Sequence, residues 1–346
     1  MDTWTNKTVM ITGVCGTIGR ALLKRLLETD VKAIIGLDAN ESSLFFLEQA
    51  NLRDDRLRFT LGDVRDRDTL VERSRGVDIL LHTAAYKHVR FCEDSPREAI
   101  MTNIHGVQNA IEAANANGIQ RILFTSSDKA VNPTNVMGTS KLMGERLVTA
   151  ANAALVEEGR AFASCRFGNV IGSSGSVLPL FRRQIEAGGP ITLTDPGMTR
   201  FIMTVDDAAQ LVMDSALLAH GGEAFVTKMR VIRIADLAHV MTQILAPRCG
   251  RDPESIQIEE IGPRPGEKMY EELLTTEEMR RTVELDRYYV VLPPFKHRHR
   301  AVSYDYDGVR SLESNSPYNS AREEPMGQEA LQEFLVTRRL LDDEES

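Results

Sequence analysis

The chain has 346 residues, of which 42% are hydrophobic and 26% are charged, and its formal net charge is −9. This composition is typical of a folded globular protein with room for one large domain or two unequal domains. The acidic surplus argues against a nucleic acid as the main partner, because affinity for a phosphate backbone depends on surplus lysine and arginine.

The four cysteines are widely spaced and form no C-x-x-C pair. This pattern predicts reduced thiols in a cytoplasmic protein, and we expect neither a disulfide framework nor a metal site. The N-terminus lacks the basic start and apolar core of a secretory signal. No apolar window approaches the roughly 20 residues needed to cross a bilayer, so we expect no membrane span.

The first strand pattern, Thr8 to Ile11, leads into a glycine-rich turn and then into leucines at helical spacing. Glycines in such a turn allow a pyrophosphate to approach backbone N–H groups at the helix N-terminus. A second strand ends in Asp38, about 20 residues beyond the turn, where a carboxylate can accept hydrogen bonds from an adenosine ribose. The candidate cofactor contacts in the turn are Thr12, Gly13, Gly16, Thr17, Ile18 and Gly19.

We therefore expect bound NAD. Asp38 would repel the 2′-phosphate of NADP, although NADP is not excluded because Arg20 could offset that repulsion. The third strand, Leu57 to Leu61, leads to Asp63, which is either a helix N-cap or a contact for the adenine amino group. The fourth strand, residues 77–81, runs into His82, which we interpret as a hydrogen-bonded core residue.

Further cofactor candidates lie beyond these strands. Ala84 and Ala85 are small enough for a cofactor to lie close to the backbone, and Lys87 can reach a bound anion. Asn103 is an internal polar residue of a helix predicted from Pro96 to about Ala116. The complete set outside the turn is Asp38, Asp63, Val64, Ala84, Ala85, Lys87, Asn103 and Lys141.

The segment from Ser126 to Lys141 carries the candidate chemistry. It follows a fifth strand, predicted from Arg121 to Thr125, and leads into a helix predicted from about Met137 to Glu158. Asp128 and Lys129 thus stand at the carboxyl end of a strand, where parallel α/β sheets place their ligands. Two adjacent groups of opposite charge at that end can act as an acid and a base.

A sixth strand, Ala161 to Phe167, completes a regular alternation of strands and helices. This alternation predicts an α/β fold with a Rossmann-type, doubly wound parallel sheet. From Gly168 the rhythm changes to a glycine and serine loop, and Asn169, Arg200 and hydroxyl side chains are candidates for a diphosphate cradle. The alternative is a surface loop with an exposed arginine.

Six motifs occur together along the chain, and in this order they resemble those of the extended short-chain dehydrogenase/reductase superfamily. Within that superfamily, the chain is similar to the CapD-like UDP-N-acetylglucosamine 4,6-dehydratases of polysaccharide biosynthesis from about Thr8 to about Leu274. The motifs begin with the glycine turn at Thr12–Gly19. The others are Ala84 to Val89, Ser127 to Pro133, Arg166 to Val170, Met198 to Phe201 and Arg264 to Lys268.

The resemblance implies a Rossmann domain over residues 1–170 and 203–230. It also implies a smaller, discontinuous α+β domain over 171–202 and 231–330 that binds a nucleotide sugar, followed by a tail over 331–346. The implied partner is UDP-N-acetylglucosamine or a related UDP-sugar, and the implied assembly is a homodimer or higher homo-oligomer. Candidate substrate contacts are Lys87, His88, Arg166, Asn169, Ser176, Val177, Thr192, Arg200 and Glu267.

Met137 stands where the superfamily usually has the tyrosine of a Tyr-x-x-x-Lys pair. Part of the dehydratase family also lacks this tyrosine, and there the proton transfers are assigned to the Asp-Lys pair. The resemblance therefore implies that Asp128, with Ser127, takes or delivers hydroxyl protons and that Lys129 removes the C5 hydrogen. Lys141 holds the nicotinamide ribose, and Met137 favours retention at C5.

The implied reaction is transient oxidation at C4, loss of water across C5–C6 and return of hydride to C6. Three alternatives stay open at this stage. They are a UDP-sugar 4-epimerase, a C5-inverting 4,6-dehydratase, and an NAD-binding regulator without catalytic activity.

Overall fold

The computed structural model describes residues 3–155, 159–173, 177–262, 266–295, 302–310 and 316–342. The strands among them are β1 Thr8–Thr12, β2 Ala33–Asp38, β3 Leu57–Leu61, β4 Ile79–His82, β5 Arg121–Ser127, β6 Ala161–Phe167, β7 Asn169–Val170, β8 Ile191–Leu193, β9 Thr199–Met203, β10 Ala224–Thr227, β11 Arg230–Arg233, β12 Ile258–Glu260, β13 Glu272–Leu274, β14 Thr282–Glu284, β15 Tyr288–Val291 and β16 Tyr318–Asn319.

The α-helices are α1 Thr17–Leu27, α2 Glu41–Ala50, α3 Arg67–Arg73, α4 Val89–Asp94, α5 Pro96–Ala99, α6 Gly106–Asn117, α7 Val136–Ala153, α8 Val177–Ala187, α9 Val205–Leu218, α10 Ile234–Arg248, α11 Thr276–Met279 and α12 Gln328–Thr337. A π-helix over Ile100–His105 joins α5 to α6, so the single helix predicted from Pro96 to Ala116 is interrupted. Within the described part of the chain, no helix combines the length and the apolar character that crossing a membrane requires.

The chain divides into two compact units. Unit 1 comprises Met1–Phe167, Asp206–Lys228 and Leu274–Pro317, and unit 2 comprises Gly168–Val205, Met229–Leu273 and Tyr318–Ser346. These boundaries differ from the predicted ones mainly at residues 274–317, which were expected in the smaller domain. They belong to unit 1 because β14 and β15 extend its sheet.

Unit 1 is built on a nine-stranded sheet with the order β14-β15-β10-β6-β5-β4-β1-β2-β3. The pairings from β3 to β10 that the structure gives are parallel, whereas β15 is antiparallel to β10 and β14 is antiparallel to β15. The predicted doubly wound fold is thus confirmed, with an antiparallel extension at one edge. The strand order reverses between β1 and β4, and such a switch point is where open α/β sheets bind ligands.

Strand register brings the candidate residues to one edge of this sheet. Thr12 at the end of β1 pairs with His82 of β4, which pairs with Phe124 of β5. The carboxyl end of β5 then continues into a short 3₁₀ turn over Asp128–Ala130. α7 begins close behind it, where the Asn135 side chain caps the helix by accepting from the Gly138 N–H at 2.8 Å.

Unit 2 has its own apolar core, formed largely by α8, α10 and the strands beside them. α12 contributes Leu331, Phe334 and Leu335 to this core, and Leu341 beyond it is also buried. The prediction of a C-terminal tail from residue 331 is therefore wrong for residues 331–342. An apolar stripe at helical spacing gives this segment a face to bury.

Candidate active site

The glycine turn packs tightly against the loop that follows β4. Gly13 has a φ of +73°, and a Cβ built there would lie 2.8 Å from the backbone N and Cα of Ala84. A Cβ at Gly19 would lie 2.3 Å from the carbonyl oxygen of Gly13. Glycine is thus required at both positions by close approach of backbone atoms.

The N-terminus of α1 suits a phosphate group. Its N-cap is Gly16, which has no side chain to satisfy the first N–H groups of the helix. Thr17, Ile18 and Gly19 form the first turn, so their N–H groups face the end of the helix that favours negative charge. These residues fit the pyrophosphate of a dinucleotide.

Asp38 lies at the end of β2 and reaches the glycine turn. Its Oδ2 accepts from the N–H of Cys15 at 2.9 Å, and its Oδ1 accepts from the N–H of Asn40 at 2.9 Å. Burial, together with the Asp38 charge, raises the pKa of the Cys15 thiol to about 11. Arg20 donates from Nε to the Cys15 carbonyl at 2.9 Å. The Asp38 carboxylate thus lies where a ribose contact is expected, and its oxygens can accept further hydrogen bonds.

Asp63 forms an ion pair with Arg65, with 2.6 Å between Oδ2 and Nη2. The N-cap of α3 is Asp66 rather than Asp63, so the N-cap interpretation of Asp63 is wrong. Val64 is buried against the backbone of Gly106. A contact between Asp63 or Val64 and adenine stays a prediction.

Asn103 shapes the loop of Ala84, Ala85 and Lys87 from the π-helix. Its Oδ1 accepts from the Tyr86 N–H at 2.8 Å, and its Nδ2 donates to the Tyr86 carbonyl at 3.0 Å and to Ser140 Oγ at 2.9 Å. The side chain is 1% exposed, and its amide oxygen and nitrogen are hydrogen-bonded to protein groups. The structure thus gives Asn103 a positioning role in this loop, and a direct contact with the cofactor stays a prediction. Burial lowers the pKa of the nearby Lys87.

Asp128, Ser127 and Lys129 form a compact hydrogen-bonded group. Asp128 Oδ1 accepts from Ser127 Oγ at 2.7 Å, from the Lys129 N–H at 2.8 Å and from Lys129 Nζ at 3.1 Å. Asp128 is 1% exposed, and within the described residues its Oδ2 has no hydrogen-bond partner. The Lys129 side chain is 26% exposed. The predicted acid and base are therefore in contact, one buried and the other reaching solvent.

Lys141 lies on α7 behind this pair. Its Nζ donates to the Thr125 carbonyl at 2.9 Å and lies 4.8 Å from the centroid of the Phe124 ring. Burial lowers its pKa to about 8. His82 is buried as predicted, its Nδ1 lies 2.9 Å from Thr12 Oγ1, and burial lowers its pKa to about 3. The imidazole is therefore neutral at pH 7.

Met137 is buried one turn before Lys141 and packs with Cys92 and Ala99. A thioether cannot exchange a proton with a hydroxyl, so this position contributes apolar packing instead of a phenolic base. Proton transfer at this edge of the sheet falls to the remaining polar side chains, of which Asp128 and Lys129 are in mutual contact.

Arg166 is a buried structural residue. Its guanidinium forms parallel hydrogen bonds with Glu145 at 2.9 and 2.8 Å, and with Glu278 at 3.1 and 2.7 Å. The side chain is 2% exposed. A direct contact between Arg166 and a substrate would compete with these two buried ion pairs, and it stays a prediction.

Arg200 in unit 2 is also buried, which rules out the alternative of an exposed surface arginine. Its guanidinium donates to the carbonyls of Thr199, Lys268 and Met269 at 2.7, 2.8 and 3.2 Å. These bonds connect Arg200 of β9 to the backbone of Lys268 and Met269. A contact between Arg200 and a diphosphate stays a prediction.

The other substrate candidates are scattered over both units. Thr192 Oγ1 accepts from Gln184 Nε2 at 2.8 Å, Val177 packs against the core of unit 2, and Glu267 is exposed. Asn169 is in β7, and His88 precedes α4 with its ring 6.0 Å from that of Phe91. Ser176 lies outside the described residues. Contacts of these residues with a substrate remain predictions.

Three residues of this region carry no sequence motif of their own. Thr125 holds Lys141 through its carbonyl, while Glu145 and Glu278 bind Arg166. Glu145 could have been found from its position four residues after Lys141 on the same helix face. Glu278 is 112 residues from Arg166 in sequence, and no local signal connects them.

The parallel sheet, the glycine turn before α1 and the lysine of α7 beside an Asp-Lys pair define an enzyme of the extended short-chain dehydrogenase/reductase class, which uses a nicotinamide cofactor. A family described as "Polysaccharide biosynthesis protein" matches residues 9–293. The chain belongs to this family.

Among curated proteins, an uncharacterized membrane protein of Methanocaldococcus jannaschii is 44% identical over 330 residues, which cover 95% of both chains. The UDP-N-acetylglucosamine 4,6-dehydratase (inverting) of Campylobacter jejuni is 36% identical and covers 84% of both. The capsular polysaccharide biosynthesis protein CapD of Staphylococcus aureus is 40% identical over 80% of this chain, and the match spans only 46% of CapD.

A UDP-glucose 4-epimerase of Rickettsia bellii is 35% identical over 96% of both chains. Among solved structures, Pen from Bacillus thuringiensis is 37% identical and superposes with a TM-score of 0.89, covering 98% of this chain and 99% of the other. The comparisons thus include proteins named for dehydration and for epimerisation of nucleotide sugars.

Proposed function

We propose that the chain is a UDP-N-acetylglucosamine 4,6-dehydratase, forming a UDP-4-keto-6-deoxy-N-acetylhexosamine for glycan or polysaccharide biosynthesis. The observation that carries the proposal is the buried Asp128 in contact with Ser127 and Lys129, beside Lys141 and with Met137 in place of a phenolic base. An elimination needs an acid and a base close together, and this pair supplies both. The dehydratase from Campylobacter jejuni adds support.

A nicotinamide cofactor held by the glycine turn and Asp38 would supply reversible hydride transfer between C4 and C6 of the sugar. Asp128 accepts the O4 proton, with Ser127 orienting the hydroxyl. The resulting 4-keto group acidifies the C5 hydrogen, which Lys129 in its neutral form removes as a proton. Asp128 then delivers its proton to the 6-hydroxyl, which leaves as water. A proton returned to C5 completes the balance, so the net change is loss of one water.

Lys141 contributes a fixed charge instead of a mobile proton in this scheme. Its Nζ is anchored on the Thr125 carbonyl, and the proposed contact is with the hydroxyls of the nicotinamide ribose. The unpartnered Oδ2 of Asp128 is the acceptor that the scheme requires, since Oδ1 is already used by Ser127 and Lys129.

We propose retention at C5 because Met137 replaces the tyrosine. The Asp128–Lys129 pair would then both remove the C5 proton and return it. The Campylobacter jejuni relative is named inverting, so inversion is the alternative within the same reaction. Epimerisation at C4 is the second candidate function, and the Rickettsia bellii relative supports it. An NAD-binding regulator without activity is disfavoured because the acid-base pair is intact.

Proton NMR of the protein incubated with UDP-N-acetylglucosamine tests the proposed function. We expect a new C6 methyl doublet together with a 4-keto or hydrated-ketone signal. The coupling between H4 and H5 of a derivative reduced at C4 reports retention or inversion. Unchanged substrate, or UDP-N-acetylgalactosamine as the product, would contradict the dehydratase assignment.

We also propose NAD rather than NADP as the cofactor, from the position of Asp38 beside the glycine turn. Replacing Asp38 with Asn should narrow the preference for NADH over NADPH by about tenfold, which corresponds to about 1.4 kcal/mol of lost charge repulsion. Fluorescence titration with each reduced cofactor measures this preference. Glu48→Gln, an exposed carboxylate of α2, is the matched control. An unchanged preference in Asp38→Asn would remove Asp38 from cofactor selection.

A homodimer or higher homo-oligomer is proposed through α4, the π-helix and α7. These elements leave the apolar side chains of Phe91, Ile100 and Met143 exposed at 67%, 43% and 46%, and a second copy of the chain could bury them. A cytoplasmic location stays a prediction from the reduced, unpaired cysteines.

A further inference from the structure

A buried cluster of four ionisable groups lies on α7, β6 and α11 of unit 1. Glu145 and Glu278 bind the guanidinium of Arg166 from two sides, and the three side chains are 5%, 7% and 2% exposed. Two carboxylates and one guanidinium carry a net charge of −1. The ammonium of Lys141 on the same helix balances that charge.

Glu145 is placed to act on Lys141. The two residues are four positions apart on α7, so their side chains share one helix face, and both are buried. The Lys141 ammonium cannot move away, because its Nζ is held by the Thr125 carbonyl and the Phe124 ring. Two parallel hydrogen bonds from Arg166 hold the Glu145 carboxylate in turn.

Among the other titratable groups around Lys141, Asp128 is already paired with Lys129, and three more carry no charge at pH 7. From β4, His82 is neutral because burial lowers its pKa to about 3. From α4 and β6, the thiols of Cys92 and Cys165 are protonated because burial raises their pKa values. Apart from Asp128, Glu145 is therefore the group among these neighbours with a full opposite charge.

We propose that Glu145, fixed by Arg166 and Glu278, is a positioning residue that keeps Lys141 protonated at the pH where the enzyme works. The negative charge of Glu278 neutralises the positive charge of Arg166. Without it, the Arg166 charge would cancel the influence of Glu145 on Lys141. The proposal rests on the proposed role of Lys141 at the nicotinamide ribose.

The test is the pH dependence of NADH binding, followed by cofactor fluorescence with the full chain and no sugar present. In the unmodified protein, we expect affinity to fall by about tenfold as Lys141 loses its proton, because a hydrogen bond from a charged donor is the stronger one. The midpoint should lie near the Lys141 pKa of about 8. Glu145→Gln removes an opposite charge that raises the pKa of Lys141, and it should move this midpoint to lower pH by about one unit.

Glu278→Gln leaves the Arg166–Glu145 pair intact and should move the midpoint in the same direction by a smaller amount. Glu223→Gln is the matched control, since Glu223 is a buried carboxylate of unit 1 bound by Tyr306 and by the N–H groups of His220 and Gly221. Its substitution should leave the midpoint unchanged. If Glu145→Gln does not fold, Glu278→Gln carries the test by itself.

The proposal is overturned if the midpoints of Glu145→Gln and Glu278→Gln coincide with that of Glu223→Gln, or if the unmodified protein shows no midpoint between pH 6 and 10. The cluster would then serve packing alone. Because no sugar is present, this result is independent of the product analysis, and a failure of the dehydratase assignment would be recognised separately.

Discussion

Lys129→Ala is expected to reduce formation of the 6-deoxy-4-keto product by at least about 10³-fold, within the range that a positioned general acid or base contributes. The substitution removes the proposed C5 base, whose Nζ lies 3.1 Å from Asp128 Oδ1, and leaves the Asp128 carboxylate in the chain. NADH affinity should stay within about twofold of the unmodified protein, because the anchor of Lys141 on Thr125 does not involve Lys129.

The variant also separates the two halves of the reaction. In the proposed scheme, oxidation at C4 requires Asp128 but not Lys129, so the absorbance of reduced cofactor should build up when Lys129→Ala is mixed with UDP-sugar. Asp128→Asn should show neither that absorbance nor product. Lys24→Ala, an exposed lysine of α1, is the control for loss of a surface charge. Survival of turnover in Lys129→Ala would mean that another group removes the C5 proton.

Much of unit 1 was predictable because its central strands are continuous apolar runs. Residues Val9, Met10 and Ile11 of β1 are fully buried, as expected for a strand covered on both faces. The glycine turn and Asp38 follow from local sequence in the same way. By contrast, β14 and β15 have three and four residues, too few for a periodic pattern, and their place in the sheet depends on pairing with the distant β10.

The acid-base pair was also predictable, because Ser127, Asp128 and Lys129 are neighbours in the chain and need only a strand end to present them. Sequence alone says less about polar residues whose partners are distant. Asn103 and Arg166 belong to motifs typical of ligand contacts, yet each is bound by protein groups 17 to 112 residues away. A single sequence indicates that a polar side chain is buried, but not whether a ligand or the protein satisfies it.

Replacing Arg166 with Met is expected to lower the free energy of unfolding by about 3–5 kcal/mol, the usual cost of removing one member of a buried ion pair. The cost arises because Glu145 and Glu278 would remain buried, close together and without their cation. Urea unfolding measures it. Arg67→Met breaks the exposed pair with Glu112 and is the control, with an expected effect of at most about 1 kcal/mol.

The sign of the pH dependence distinguishes a charge effect from lost packing. In the unmodified protein, Arg166 overcomes the effect of burial and lowers the pKa of Glu278 to about 2, so the stability that this carboxylate contributes is present above its unfolded pKa near 4.5 and is lost as the pH falls towards 2. In Arg166→Met, Glu278 loses the cation that lowers its pKa and binds a proton more readily in the folded state, so acidification relieves the penalty. The difference in stability between the two proteins should therefore shrink from pH 7 to pH 4.5.

Adding Glu145→Gln and Glu278→Gln to Arg166→Met removes all three charges and should recover much of the lost stability, since a neutral buried cluster avoids the cost of unpaired ions. A difference that stays constant with pH, together with no recovery in the triple variant, would show that Arg166 stabilises unit 1 through its volume alone. The triple variant would also carry Lys141 without the carboxylate one helix turn away. Its unfolding and its NADH midpoint together would separate the contribution of the cluster to the fold from its contribution to the charge of Lys141.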